Sequence, residues 1–279
     1  MDNLFEILDP SLSLDSSGIY SFKDIGTSVS SQQSEYDFRK SVASSPSLDV
    51  IKEIKSNYSI AIRQELLNYF LEDLPTNSLI LDLGCGYSWQ WNLTLPKSYR
   101  IILVDFVYEN LIVAKKVLAD NTHHEFIYVH AASSSSLPFA DKVFDLVWLA
   151  QVFQHMPNPE TDLSNIQQKM KPMSKLISTD FNYRNVERFI KRMFGFSYLN
   201  ESQTKNFYIR RVSYKSDYPF NIVFGDSSDI LFSEHLFQPY FKKFHVLYQA
   251  LSILDRLFFH LQWPNSLARQ ISKLYINNQ

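Results

Sequence analysis

Short apolar runs alternate with amphipathic segments through the middle of the chain, and this alternation predicts the fold. Five runs have the length of a β-strand and are apolar on both alternating faces, as strands buried between two layers of helices are. These runs are 79–83, 100–105, 126–129, 143–150 and 176–180. Strands and helices that alternate at this interval predict an α/β protein with a doubly wound, mostly parallel sheet.

The pattern differs on either side of this central block. Residues 1–48 are rich in serine and predict a weakly structured N-terminal arm, whereas 49–279 are expected to form one domain. Residues 48–74 carry apolar side chains at spacings of three and four, which predicts a helix in front of the first strand.

The regular alternation stops after the fifth strand. An aromatic and polar stretch at about 183–234 predicts an inserted lid, because loops at the carboxyl end of such a sheet often form the walls of a site. Two further runs, 244–248 and 273–276, are predicted strands that bring the sheet to seven.

Two of the six glycines of the chain follow the first predicted strand, in the segment Leu-Asp-Leu-Gly-Cys-Gly at 81–86. Gly84 and Gly86 stand where the backbone must turn tightly and where a ligand can approach without meeting a β-carbon. The second strand ends in Asp105, about 20 residues further on, the interval at which nucleotide-binding α/β folds place an acid on the ribose hydroxyls. A nucleotide-like ligand at this edge of the sheet is therefore expected.

Composition excludes several other classes of protein. A formal net charge of -2 gives no overall positive field, so no nucleic-acid partner is expected. Cys85 is the single cysteine, which excludes an internal disulfide and a multi-cysteine zinc site and favours a reducing, cytoplasmic location. No stretch reaches the roughly 18 apolar residues of a membrane span, and no metal site is expected.

Three segments in order make the chain resemble the class I S-adenosylmethionine-dependent methyltransferases, above all those that act on small molecules. They are 81–86, then Val104-Asp105, then Leu137-Pro138-Phe139 with Phe144-Asp145-Leu146-Val147 and His155. The resemblance covers about 48–180 and implies a Rossmann-like methyltransferase fold, with S-adenosylmethionine as methyl donor and S-adenosylhomocysteine as product. It also implies a small-molecule acceptor, methylated by in-line displacement.

The resemblance also assigns residues to the cofactor. Asp82 lies beneath the methionine amino group, the two glycines admit the cofactor to the backbone, and Asp105 holds the ribose. Ser133 stands where the family usually has an acid for the adenine amino group. The remaining candidates are Tyr58 on the helix before the first strand, Cys85 inside the loop and Phe106 after the ribose acid.

Candidate catalytic residues are His155, after the fourth strand, and Asp180, at the end of the fifth. A methyl group on a sulfonium is already activated, so a base is needed only where the acceptor carries a proton. His155 could instead cap or pack at the start of the next helix, and Asp180 could equally cap the segment that follows it. The adjacent His123 and His124 are expected to face solvent.

Other functions are open. The basic residues of the predicted lid, namely Lys205, Arg210, Arg211 and Lys215, would suit a macromolecular substrate, RNA or protein. The missing adenine acid would suit a non-catalytic binding protein. A nicotinamide dehydrogenase is more remote because the loop lacks the third glycine. Cys85 is expected to be a small packing residue and not a nucleophile.

Overall fold

The structure is a computed structural model, and it describes most of the predicted core. The described residues are 4–22, 36–37, 40–41, 43, 67–93, 95–131, 137–152, 156, 159–181, 220–228 and 270–277. The predicted strand at 244–248 and most of the predicted helix at 48–74 lie outside these ranges.

Nine strands form a single mixed sheet in the described part of the chain. In chain order they are β1 (Leu12–Leu14), β2 (Tyr20–Phe22), β3 (Leu79–Leu83), β4 (Arg100–Asp105), β5 (Glu125–His130), β6 (Phe144–Ala150), β7 (Met170–Phe181), β8 (Phe220–Ser228) and β9 (Gln270–Asn277). Helix α1 (Leu4–Ile7) precedes β1, and between the later strands lie a 3-10 helix (Trp89–Asn92), α2 (Tyr108–Val117) and α3 (Pro159–Lys169).

The spatial order of the strands is β1-β2-β5-β4-β3-β6-β7-β9-β8. The run from β2 to β7 is parallel throughout, whereas β1 pairs antiparallel with β2 and β9 pairs antiparallel with both β7 and β8. This confirms the predicted mostly parallel α/β sheet. Because the chain leaves β3 toward β4 on one side and returns to β6 on the other, the carboxyl end of β3 is the topological switch point, where such sheets bind ligands.

The strand β3 is buried along its whole length, as its unbroken apolar run predicts. Residues of alternate parity belong to two separate cores, one on each face of the sheet. Leu79 and Leu81 join the first core, and Ile80 joins the second with the buried Trp91 and Trp148. Period-two alternation with apolar residues on both faces therefore explains why the sheet is covered on both sides.

The acid of the Phe-Asp-Leu-Val segment has a structural role far from the predicted site. Asp145 accepts hydrogen bonds from the backbone N–H of Leu79 and from Nζ of Lys171, each at 2.8 Å. It therefore ties β6 to the beginning of β3 and to β7, at the amino edge of the sheet.

Two predicted features differ in the structure. Residues 220–228, which lie inside the predicted lid at 183–234, form β8 and pair with β9. Residues 170–181 form one strand where a turn at Pro172 and Met173 is predicted. The pairing with β6 shifts at this point, and Met173 takes a left-handed φ of 60° that absorbs the extra residues.

Part of the predicted N-terminal arm packs on the core. Strand β2 pairs in parallel with β5, and Leu8 bridges to Phe139 of the Leu-Pro-Phe segment. Backbone hydrogen bonds from Asp9 to Pro138 and from Ala140 to Ile7 support this bridge. The arm therefore contributes two strands, β1 and β2, that are not among the seven predicted.

No helix in the described ranges is both long and apolar enough to cross a membrane.

Candidate cofactor site

The loop after β3 brings its backbone against the end of β4. The N–H groups of Gly84 and Cys85 both bond to the carbonyl of Val104, at 2.8 and 3.0 Å, and the N–H of Gly86 donates to Oδ2 of Asp105 at 2.8 Å. The two sequence-predicted glycines and the predicted ribose acid therefore form one unit at the carboxyl edge of the sheet.

The two glycines serve different purposes. Both have positive φ, 70° at Gly84 and 54° at Gly86, a conformation that side chains disfavour. A β-carbon at Gly84 would lie 2.4 Å from Cγ2 of Val152, in the loop that follows β6. A β-carbon at Gly86 would meet no described atom within 4 Å. Gly84 thus makes room for the protein itself, and Gly86 borders open space in the described structure.

Asp105 is buried, and hydrogen bonds to both of its oxygens hold the carboxylate in place. Oδ1 accepts hydrogen bonds from the backbone N–H of Val107 at 2.8 Å and from Nδ2 of Asn110 at 3.1 Å. With Gly86 on Oδ2, the acid is fixed by three donors from the loop and from the start of α2.

Asp82 lies wholly buried beneath the same loop. Its Oδ2 accepts hydrogen bonds from Nε2 of Gln90 at 2.8 Å and from Nε1 of Trp91 at 2.7 Å, both in the 3-10 helix that follows the glycines. Its Oδ1 is buried and has no hydrogen-bond partner in the described part of the chain. Burial raises the pKa of Asp82 to about 7, the nearby charge of Asp105 also raises it, and the two donors lower it.

A second unpaired polar atom lies on the neighbouring strand. Trp148 is the register partner of Asp82 across β3 and β6, and its buried Nε1 has no acceptor among the described residues. Its ring packs edge-on against Trp91, with centroids 6.2 Å apart. The carboxyl edge therefore combines an apolar aromatic surround with an acceptor and a donor that the described protein leaves unpaired.

Cys85 is a packing residue. Its thiol is buried in the second core, and burial, together with Asp105 and Asp82, raises its pKa well above the ordinary value. A thiol that stays protonated and buried is a poor nucleophile, so the expectation of a packing role agrees with its surroundings.

The flank of Asp105 connects to the N-terminal strands. Nε2 of the partly buried His130 lies 3.2 Å from the carbonyl oxygen of Phe106, and burial lowers the pKa of His130. The His130 ring packs edge-on against Tyr108, whose hydroxyl donates to Asp15 at 2.7 Å and so lowers the pKa of that acid. A continuous set of contacts therefore runs from the β1–β2 turn to the residue after Asp105.

The structure brings six of the predicted site residues together: Asp82, Gly84, Cys85, Gly86, Asp105 and Phe106. Tyr58, Ser133 and His155 lie outside the described residues. The backbone of Asp180 lies in the last residues of β7, but its side chain is outside the description. The roles of these residues remain predictions.

Sequence reasoning missed the residues that hold the acids. Gln90 and Trp91 lie in the short 3-10 helix that follows the glycine loop. In the sequence, the only indication of their role is that two side chains able to donate hydrogen bonds come soon after Asp82. His124 was expected at the surface and is buried, because its Nδ1 accepts the Tyr99 N–H at 3.2 Å and its ring stacks on that tyrosine. Burial lowers the pKa of His124 to about 4.

A glycine loop bonded to an acid at the switch point of a doubly wound sheet is the arrangement by which many α/β proteins bind a nucleotide. Residues 81–178 match the methyltransferase domain family. The matched segment runs from β3 into β7 and contains the glycine loop, Asp82 and Asp105.

The chain has relatives of known name. It is 27% identical over 108 residues to a demethylmenaquinone methyltransferase of Lactiplantibacillus plantarum. The aligned residues make up 37% of this chain and 45% of the relative. It is 29% identical over 120 residues to the ubiquinone/menaquinone biosynthesis C-methyltransferase UbiE of Blochmanniella pennsylvanica, over 42% of this chain and 47% of the relative. The chain thus matches less than half the length of each relative.

A solved structure shares the fold. Phosphoethanolamine N-methyltransferase 2 of Haemonchus contortus, in complex with S-adenosyl-L-methionine, superposes with a TM-score of 0.51 at 16% identity, covering 78% of this chain and 53% of that chain. This likeness is one of fold.

Proposed function

We propose that the protein is a methyltransferase that transfers the methyl group of S-adenosylmethionine to a small-molecule acceptor by in-line displacement. The observation that carries the proposal is the glycine loop bonded to Asp105, with open space beside Gly86. A nucleoside brought to this edge can place its ribose hydroxyls against a carboxylate that is already oriented.

The residues present fit this cofactor. The unpaired Oδ1 of Asp82 is an acceptor for a protonated amino group, directly or through a water molecule, and Asp105 is an acceptor for ribose hydroxyls. When bound, the cofactor supplies a methyl group activated by a sulfonium. The chain itself has to bind, orient and exclude water, which requires no elaborate set of catalytic groups.

The names of the two relatives suggest an acceptor of the quinone-precursor type, a flat and partly apolar ring. In the sequence, His155 follows β6, and Asp180 is the last residue but one of β7. We propose both as candidate bases at this edge of the sheet, for an acceptor that must lose a proton. The predicted lid at about 183–234 is the candidate wall of the acceptor pocket, except for the part that forms β8.

Isothermal titration with S-adenosylhomocysteine tests the cofactor, and methyl transfer to a panel of demethylated quinones and other small phenols tests the acceptor. Asp105→Ala should lose most of the affinity, because it removes the ribose acceptor. Asp120→Ala, at an exposed acid beyond α2, is the matched control. A wild-type chain that binds no cofactor at millimolar concentration would refute the proposal, and binding without transfer to any acceptor would favour the non-catalytic alternative.

A further inference from the structure

The N-terminal arm places an aromatic ring beside the ribose acid. Tyr36 and Phe106 pack with their ring centroids 6.0 Å apart and their planes tilted by 57°. Phe106 is the residue directly after Asp105 and is only partly buried, as is Tyr36. An element from the far N-terminal side of the sequence thus reaches the carboxyl end of β4.

A second contact holds this part of the arm in place. Nζ of Lys40 lies 3.4 Å from Oε1 of Glu109, in the first turn of α2, and 5.6 Å from the centre of the Tyr36 ring. The charge of Glu109 raises the pKa of Lys40, so the ammonium stays protonated. Tyr36 and Lys40 both have helical backbone and are four residues apart, the spacing at which side chains on a helix are neighbours.

The chemistry of the ligand explains what a ring at this place can do. In a nucleoside the base is attached to the carbon next to the one that carries the 2′-hydroxyl, so a ribose held by Asp105 brings its base close to the residues that surround that acid. The sequence from 131 to 136 is Ala-Ala-Ser-Ser-Ser-Ser and offers no carboxylate to the purine amino group. Without that carboxylate, contacts to the aromatic face of the base matter more, and Phe, Tyr and Trp rings bind that face well.

We propose that Tyr36, with Phe106, forms an aromatic wall of the site for the purine ring, and that the Lys40–Glu109 pair holds this wall in place. The inference deepens the proposed function and rests on it. It assigns to the N-terminal arm a direct part in binding the cofactor.

Three substitutions at position 36 test the wall by titration with two probes. S-adenosylhomocysteine carries the base, the ribose and the amino acid, whereas 5′-methylthioadenosine lacks the amino acid. Tyr36→Ala should weaken both probes by the same factor, about tenfold, since loss of one base–aromatic stack costs on that order. Tyr36→Phe should keep both affinities within about twofold, and Tyr36→Leu, which retains an apolar contact with Phe106, should still lose affinity.

The matched control is Tyr69→Ala. Tyr69 is 53% exposed and its ring packs on Phe70, so its loss should leave both affinities unchanged. The anchor is tested by charge: Lys40→Glu places two acids together and should weaken both probes, and adding Glu109→Lys should restore them.

The outcomes separate this inference from the proposed function. A wild-type chain that does not bind S-adenosylhomocysteine refutes the proposed function and the inference with it. Normal wild-type binding with unchanged affinity in Tyr36→Ala, or in Tyr36→Leu if the alanine variant does not fold, refutes the inference alone. A loss that affects S-adenosylhomocysteine but not 5′-methylthioadenosine also refutes it, because the ring would then act on the amino-acid half.

Discussion

The buried acid Asp82 should make the stability of the protein depend on pH, and Asp82→Asn should remove that dependence. Burial raises the folded-state pKa of Asp82 from 3.8 to about 7. A carboxyl group in the unfolded chain titrates near 4, so the folded state retains a proton that the unfolded state has released between about pH 4 and pH 7. The contribution of Asp82 to stability therefore falls as pH rises through this window and is constant above it.

The magnitude follows from the size of the shift. A difference of about three pKa units at about 1.4 kcal/mol each corresponds to a loss of about 4 kcal/mol between pH 4 and pH 8. This is a large part of the 5–15 kcal/mol typical of a folded protein. Asp82 is wholly buried, so solvent screening does not reduce the effect.

Asparagine is a suitable replacement because of the hydrogen-bond pattern. Gln90 and Trp91 both donate to the same oxygen, Oδ2, and the amide oxygen of asparagine can accept both bonds. The amide nitrogen would replace Oδ1, which has no partner in the described structure. The asparagine variant thus has nearly the shape and the zero charge of the protonated acid, but it cannot titrate.

Urea unfolding of both proteins from pH 4.5 to 8.5 measures the effect. The free energy of unfolding of the wild type minus that of Asp82→Asn should fall by up to ~4 kcal/mol across the range, because the other titrating groups cancel in the difference. Asp120→Asn controls for the change in net charge. Parallel stability curves for wild type and Asp82→Asn would show that the acid is ionised in the folded protein and would refute the reasoning.

Four further predictions concern residues at or near this edge of the sheet. Gly84→Ala should destabilise the protein by about 2–4 kcal/mol in urea unfolding, because its β-carbon meets Val152 in a left-handed conformation. Gly86→Ala should lower the free energy of unfolding by only about 1–2 kcal/mol, yet titration should show a weaker affinity for the cofactor. Equal stability of the Gly84→Ala and Gly86→Ala variants would contradict the different roles of the two glycines. Binding of S-adenosylhomocysteine at pH 6.5 should release protons, because the ligand ammonium favours the ionised form of Asp82. The measured binding heat should therefore change with the ionisation enthalpy of the buffer, and a heat independent of the buffer would argue against this pairing. Tyr108→Phe should speed amide hydrogen exchange in the β1–β2 hairpin, 12–22, by up to about tenfold, because it removes the hydrogen bond to Asp15. Exchange in β3 should stay unchanged as an internal control, and wild-type protection of the hairpin would show that this bond does not stabilise it.

The central sheet and the placement of the glycine loop could both be predicted from the amino-acid sequence. Strands buried on both faces leave a continuous apolar run, and the run at 79–83 is buried throughout, as predicted. The link between Gly86 and Asp105 was also predictable, because parallel strands bring their carboxyl ends to one edge and the sequence interval is characteristic.

The contacts that the site residues make could be learned only from the tertiary structure. Nothing in the local pattern shows that Gly84 faces Val152, that Gln90 and Trp91 share one oxygen of Asp82, or that His124 is buried under Tyr99. Such contacts join residues that are neighbours only after the chain has folded, whereas periodicity reports the face of an element and not what lies against it. The same reason explains why β8 and the N-terminal strands were not predicted: their short or mixed sequences become strands because a sheet edge is available to pair with.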